Sequence, residues 1–314
     1  MAGNANFDEI LSTTLKNYVP KLTDNVFSAR PLFYALTNGQ TIRRISGGSN
    51  IVVPVIYGTN STAAPYAGSD TIAVTPQTGI SAAEFNWGQY AATVTITGIE
   101  EAKNNGEAQI IDLLEGKIFQ TQESIIQNMN TMLWGDGPQV GSTNDWNGIQ
   151  NLVSNDDVGS GGIPFATNAW WAATETNLAG ALTLASMGTL YNDVSVGNDQ
   201  PTILMTTQAG YEAYEALLTS NVRYTDTDVA NAGFQNLMFK GAPVVFDDDC
   251  PAGGMYMLNT KYLQLVGHSD VWFKPTPFVR PTNQDAVFSQ ILCYGQLTVS
   301  NRSRQGRLHG ITNA

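Results

Sequence analysis

Charge is scarce in this sequence. Asp, Glu, Lys and Arg make up 13% of its 314 residues, about half the usual share of roughly 25%. A free monomer relies on mixed surface charge to stay soluble, so so little charge fits a chain whose surface mostly faces copies of itself. Cations are scarcer than anions: Lys and Arg number 15 against 27 Asp and Glu, a formal charge of −12. Only Arg302, Arg304 and Arg307 cluster. Gripping a phosphate backbone needs clustered cations. That excludes a direct reader of nucleic acid and allows a container that holds nucleic acid without sequence-specific binding.

Cysteine and histidine are nearly missing. Cys250 and Cys293 stand far apart in no paired motif, so both are expected as reduced thiols of a cytoplasmic product. With cysteines this distant, His268 and His309 cannot complete a zinc site. There is no G-x-x-x-x-G-K-[ST] loop, no G-x-G-x-x-G fingerprint and no G-x-S-x-G elbow. No catalytic residue, metal or cofactor is therefore expected, and the chain reads as a non-enzyme. The run Asp247-Asp248-Asp249, with Asp226 and Asp228 upstream, has the donor type for a hard cation. Ahead of Pro251-Ala252-Gly253-Gly254 it reads instead as a solvated turn. No stretch approaches the roughly 18 apolar residues of a membrane span, and residues 1–18 lack the basic start and apolar run of a secretory signal.

What is present is enough for a core: 42% hydrophobic and 10% aromatic residues, in a length that suits about two domains. Asn6 can cap a first helix, with Glu9 at the capping-box position. Phe7, Ile10, Leu11 and Leu15 recur at helical spacing, and Pro20 ends the run. This amphipathic arm must bury its stripe on its own domain or on a neighbour. Residues 46–98 contain no Lys or Arg, and only Asp70 and Glu84 carry charge. The stretch opens with a β-type run over 51–57, in which Pro54 argues for an edge strand. It closes with an alternating run over 87–97. The two predict a long two-stranded arm, marginal in isolation. Asn105 then caps a helix predicted over 105–134, in which Ile111, Leu114, Ile118, Ile125, Met129 and Met132 form a stripe. Gly116 in its interior costs about 1 kcal/mol relative to Ala and marks a place to bend. Helices are predicted over 183–196 and 208–218. Strands are predicted over 202–205, 244–246, 255–259, 262–266 and 292–300. The order is α+β, without internal repeat.

This order resembles the tailed-bacteriophage major capsid protein family, the Hong Kong ninety-seven fold. Trp87-Gly88-Gln89-Tyr90-Ala91-Ala92-Thr93-Val94-Thr95-Ile96 leading to Glu100-Glu101 is similar to the return strand of the family's extended loop. Asn128-Met129-Asn130 through Gly135-Asp136-Gly137, then Trp146-Asn147-Gly148-Ile149-Gln150-Asn151-Leu152-Val153, is similar to the end of its spine helix and the segment after it. Phe239-Lys240-Gly241-Ala242-Pro243-Val244-Val245-Phe246-Asp247 resembles a strand of its axial domain. The likeness spans nearly the whole chain. It implies an N-terminal arm over 1–45, an extended loop over 46–98 and a peripheral domain over 99–198 and 279–314 with the spine helix. It places the axial domain at 199–278.

The resemblance also implies a function. Copies would form pentamers and hexamers and close an icosahedral shell around packaged double-stranded DNA, a virion capsid assembled in the bacterial host cytoplasm. Expected inter-subunit contacts are Phe7, Ile10, Leu11 and Leu15 on the arm, and Ile51, Val53, Tyr57, Trp87 and Tyr90 on the loop. Arg302, Arg304 and Arg307 are the expected contacts near the C-terminus, with Gly116 as the hinge of the spine. Expected partners are the chain itself, a portal, a decoration protein and a separate scaffolding protein, or one removed before maturity, since no fused scaffold segment is expected ahead of the arm. Some members weld their shells through a loop Lys joined to a neighbour's Asn; residues 46–98 hold no Lys, so that bond is not expected here. An encapsulin-type cellular compartment of the same fold is the alternative, and a β-rich surface-binding or enzymatic protein the rival from another class.

Overall fold

The computed structural model describes residues 30–38, 42–103, 113–138, 144–155, 160–218 and 237–313. They form an α+β body built on a five-stranded sheet and a six-stranded sheet, with a separate two-stranded ribbon. Of the long helix expected over 105–134, the structure describes Leu113–Trp134, here α3; Asn105 and Ile111 lie outside the described residues. Ile125, Met129 and Leu133, four residues apart, are buried and make its inner stripe. Gly135 donates to Met132 O at 3.0 Å where the helix stops. The helix packs on a short helix, α1 (Pro31–Asn38), and on strand β4 (Gly88–Thr97).

The five-stranded sheet is laid on β12 (Ala286–Val299), a strand of 14 residues. It pairs antiparallel with β4 from Ala286↔Thr97 to Gly295↔Gly88, and on its other side with β10 (Leu263–His268) and β11 (Lys274–Pro275). Strand β1 (Arg43–Ile45) adds in parallel to β10. Gly88, Gly295 and Gly267 therefore stand side by side on three adjacent strands. Their missing side chains leave a trough in which Trp146 and Trp272 lie, ring centroids 6.3 Å apart. Beside it, Gln296 is buried with every group used: its Oε1 accepts from Asn147 N at 2.7 Å and from Leu297 N, and its Nε2 donates to Asn86 O.

The six-stranded sheet runs β5-β13-β9-β6-β8-β7: β5 (Thr174–Gly180), β13 (Gly306–Ile311), β9 (Met255–Leu258), β6 (Ile203–Thr206), β8 (Ala242–Phe246) and β7 (Leu237–Phe239). Helix α5 (Leu184–Val194) packs on β13 and β5, and α6 (Gln208–Leu217) on β6 and β8. Thr183 and Thr207 cap them, each accepting from a backbone N–H three residues on. Leu204, Met255, Met257 and Leu308 face these helices, while Met205, Tyr256 and Leu258 join the core shared with α3 and the first sheet. The sheet is thus buried on both faces, which is why β9 reads as an unbroken apolar run. The short helices α2 (Gly98–Lys103) and α4 (Ile149–Leu152) flank the spine helix in sequence.

One expectation needs correction. The strand over 51–57 does not pair with 87–97. It forms the ribbon as β2 (Ile51–Ile56) with β3 (Ile80–Phe85), while β4 joins the main sheet through β12. The β3 sequence, Ile-Ser-Ala-Ala-Glu-Phe, buries only Ala83 and Phe85, too weak an alternation to announce a strand. The two sheets also divide the chain differently from the expected domains. The six-stranded sheet recruits β5 and β13 from outside 199–278, and β10, inside that range, belongs to the five-stranded sheet. Polar β5 and β13 escaped notice because an ion pair joins them. Arg307 stands opposite Glu175 in the ladder and donates to it, Nε to Oε1 at 2.8 Å.

The glycine trough yields a test. A Cβ on Gly295 would lie 2.5 Å from Val266 O, 2.8 Å from Trp272 Cζ3 and 2.9 Å from Trp146 Cη2, and the backbone oxygen cannot swing aside. Gly295→Ala should destabilise the unassembled subunit by about 1–3 kcal/mol, read as a lower urea midpoint at unchanged slope. An unchanged midpoint would mean that the trough accepts a methyl group.

Candidate assembly surfaces

A functional site of this chain has to be sought on its surface. The cleft between α1 and α3, about 430 Å³ and lined by Arg30, Pro31, Phe33, Tyr34, Thr37 and Ile126, holds no acid, histidine or cysteine. Among the described residues no group of three His, Cys, Asp or Glu side chains converges on one point. Cys250 and Cys293 are free and buried. Burial pushes both thiols up, Cys293 to about 12, so neither is a thiolate nucleophile at neutral pH. No described helix is long and apolar enough to cross a membrane.

The ribbon is the conspicuous surface feature. Its inner face, Ile51, Val53, Val55, Ala83 and Phe85, is buried in the chain's own core. It rests on residues 160–162, where Gly161 at φ +71° leaves room for Ala83 and Phe85 and Trp171 packs into the same core. Tyr57 stacks on Trp170 at 4.8 Å. The outer face is also apolar: Val52, Ile56 and Ile80 are exposed, and the loop beyond adds Tyr66, Ile72 and Val74. With no Lys or Arg over 46–98, the charge on this face is that of Glu84 opposite Val52, and the rest of it is apolar. Contiguous exposed apolar area of this kind marks an interaction site.

A polar junction joins α1, α3 and the residues that follow β8. Asp247, 1% exposed, ends β8. Its Oδ2 accepts from Leu32 N in the first turn of α1 at 3.2 Å, and its Oδ1 from Asn130 Nδ2 of α3 at 3.1 Å and Asp249 N at 3.0 Å. Asn130 Oδ1 in turn accepts from Phe33 N at 3.1 Å, and its Nδ2 also reaches Asp249 Oδ2 at 2.7 Å. Thr131 Oγ1 donates to Asp249 Oδ1 at 2.9 Å. An acidic side chain thus serves the orphan N–H groups that open α1, with Pro31 suited to the first helical position. The solvated-turn reading of this acidic run is corrected at Asp247, which is buried because three donors replace its water. Asp226 and Asp228 lie outside the described residues.

The expected contact residues fare unequally. Phe7, Ile10, Leu11 and Leu15 lie outside the described residues. Ile51 and Val53 face inward, not toward a neighbour, because the strand's even positions are the outward ones. All six residues of β2 are apolar, so sequence could not show which parity was buried. Tyr57 is 41% exposed; Trp87 and Tyr90 are half-buried, Trp87 donating to Gly48 O at 2.9 Å. Arg302 is withdrawn from any partner. It is 1% exposed and donates to the carbonyls of Leu152 (2.9 Å), Asn151 and Ser154. Burial lowers its pKa to about 10, so it stays charged at neutral pH while capping three carbonyls. Arg307 is taken up by Glu175, whose Oε1 also lies 3.1 Å from His309 Nε2. Burial opposes the charge of Arg307, yet the bond and charge of Glu175 raise its pKa. Arg304 is half-buried. Gly116 lies inside α3, half-buried. Val52, Ile56, Ile72, Val74 and Ile80, the outward ribbon residues, were not singled out by sequence.

The profile of the SU10 major capsid protein family matches residues 84–312. No curated protein sequence matches the chain. Among solved structures, the capsid asymmetric unit of cyanophage A-1(L) is 18% identical at a TM-score of 0.65, covering 95% of this chain and 97% of that one. The capsid of the native GTA particle is 12% identical at 0.61, covering 99% and 100%. The holo-SrpI encapsulin complex from Synechococcus elongatus PCC 7942 is 11% identical at 0.58, covering 99% and 96%. Identities this low speak for a shared fold; the family profile speaks for the capsid branch of it.

Proposed function

The chain belongs to the SU10 major capsid protein family, and on that premise we propose how its surfaces build the shell. As a major capsid protein it is a structural subunit of a virion capsid, and self-assembly is its work. In our reading, copies gather as pentamers and hexamers around the lobe of the six-stranded sheet. The ribbon and the N-terminal arm (with Phe7, Ile10, Leu11 and Leu15) cross to neighbouring copies, and the icosahedral shell encloses double-stranded DNA. The observation that carries this reading is the ribbon, whose outer face of Val52, Ile56 and Ile80, with Ile72 and Val74 on the loop beyond it, is left in water by one copy alone. The net charge of −12 suits a wall that repels packaged DNA and so lets it move. We further assign assembly to the bacterial host cytoplasm, with a separate scaffolding protein, a portal and a decoration protein as partners, and no enzymatic activity. The encapsulin reading draws on the likeness to the SrpI shell; it predicts particles filled with a cargo protein, whereas ours predicts nuclease-protected double-stranded DNA in particles from infected cells.

Negative-stain microscopy of the chain co-produced with its scaffolding protein should show closed shells, not a small soluble species. Boiling those shells in detergent without reductant should release a band near 33.8 kDa, because residues 46–98 hold no Lys to weld them. A small soluble species even in the presence of the scaffolding protein would remove the assembly reading, and ladders of pentamer and hexamer size would remove its non-covalent part.

Gly116 is the proposed hinge of the spine. Gly lacks a Cβ and leaves the backbone freer than Ala does, so Gly116→Ala should favour the straight helix. Precursor shells of this variant should expand at a lower temperature or denaturant threshold than wild type. A normal subunit with an unchanged threshold would leave Gly116 as a packing residue only.

A further inference from the structure

Among the described residues, strand β4 pairs with one neighbour, β12, and its other edge has no partner strand. Successive residues of an antiparallel strand aim their backbone groups to opposite sides, and two contacts show which set faces outward. Thr97 N donates to Glu100 Oε2 at 2.9 Å, and Thr95 O accepts from Lys117 Nζ at 3.1 Å. The odd-numbered residues therefore turn away from β12. At Thr95 and Thr97 the edge is covered by the Lys117–Glu100 ion pair of 2.8 Å. At Gln89, Ala91 and Thr93 the outward N–H and C=O groups have no hydrogen-bond partner among the described residues, and all three side chains are exposed. Five uncharged residues without proline make a length of edge, ~17 Å, of the kind that proteins otherwise blunt with Lys, Pro or a bulge.

The same chain carries a matching deficit. Residues 71–75, Thr-Ile-Ala-Val-Thr, alternate as a strand does, yet the backbone of 71–74 makes no hydrogen bond among the described residues. Ile72 is 60% exposed and Val74 91%. This segment lies on the loop that the ribbon carries away from the body.

We propose that residues 71–75 of one copy add as a strand to the free edge at 89–93 of β4 in a neighbouring copy. The proposal rests on the shell reading and names the seat of the ribbon within it. Pairing would satisfy the outward groups of Gln89, Ala91 and Thr93 and end the exposure of the loop backbone. It would let Ile72 and Val74 extend the half-buried face of Tyr90 and Ala92, while Thr71, Ala73 and Thr75 extend the exposed face of Gln89, Ala91 and Thr93. Neither strand carries charge, so nothing opposes their approach. The Lys117–Glu100 pair stops the added strand before Thr95 and so sets its register.

Paired cysteines test this in closed shells verified by microscopy. Ala73→Cys is combined in turn with Gln89→Cys, Ala91→Cys and Thr93→Cys, and each shell is oxidised with diamide and denatured without reductant. Cys250 and Cys293 are buried and do not compete. One of the three combinations should give a ladder of linked subunits, with the 73-to-edge bond found by peptide mass spectrometry. The single variants and the unassembled protein should stay monomeric. Closed shells with no ladder in any combination overturn the proposal. So does a ladder from an edge cysteine alone, which would place a second copy's edge there instead. Wild-type chain that forms no shells counts against the capsid reading and not against this seat. Independently, Ala91→Pro removes only an outward N–H, a place where an edge strand accepts proline. It should leave the subunit's unfolding midpoint unchanged and cut the yield of closed shells about tenfold, a loss of roughly 1.4 kcal/mol in association. Undiminished shell yield from a folded Ala91→Pro subunit overturns the proposal, and if that variant fails to fold the cysteine pairs decide.

Discussion

The body of this subunit depends on a buried hydrogen-bonded junction between Asp247 and Asn130. Three pieces distant in sequence meet there: the opening of α1, the last turns of α3 and the end of β8. Hydrophobic burial alone would let α3 slide along the sheets it touches, because an apolar stripe has no preferred register. Fixed donors and acceptors remove that freedom, since any slip leaves buried groups unpaired at about 1–3 kcal/mol each. The six-stranded lobe, reached through Thr206 O and Asp247 N, is thereby tied to the spine helix. A shell subunit needs such a tie, because strain applied at one contact has to arrive at the others.

Where the core is dry, its shape comes from glycines. Gly88, Gly295 and Gly267 clear a trough across three strands for Trp146 and Trp272. With tryptophan as the bulk and glycine as the space, the sheet is thick on one side and thin on the other. The ribbon obeys a different economy. Its inner face is packed in the subunit's own core, while its outer face is apolar and exposed. A chain with 13% charged residues can keep such a surface soluble only by covering it, which makes assembly the condition for burying the ribbon rather than an addition to it.

Much of this was legible in the sequence, for definite reasons. The stripe that runs through Ile118, Ile125, Met129 and Met132 announces α3, and the helices predicted over 183–196 and 208–218 are α5 and α6. The cation-free stretch over 46–98 stands out in the sequence and holds the exposed apolar residues of the ribbon and its loop. What stayed hidden was pairing and parity. Nothing local tells Ile51 to pair with Phe85 and not with a residue of β4, since the choice is made by residues 160–162 beneath the ribbon. In an all-apolar strand such as β2, inward and outward residues look alike, so Ile51 and Val53 passed for contacts that Val52 and Ile56 make available. The arginines failed for a related reason. A cluster of Arg302, Arg304 and Arg307 reads as surface until the carbonyls of residues 151, 152 and 154 and the Glu175 side chain are seen to use two of them.

The central claim, that Asp247 and Asn130 act as one lock, is tested most directly by a double-mutant cycle in the unassembled subunit. Asp247→Ala, Asn130→Ala and the double variant are compared by urea unfolding. The account predicts a coupling energy of about 1 kcal/mol or more, together with faster hydrogen exchange at the amides of Leu32 and Phe33 in both single variants. Additive effects within about 0.5 kcal/mol, with those amides as protected as in wild type, would contradict it.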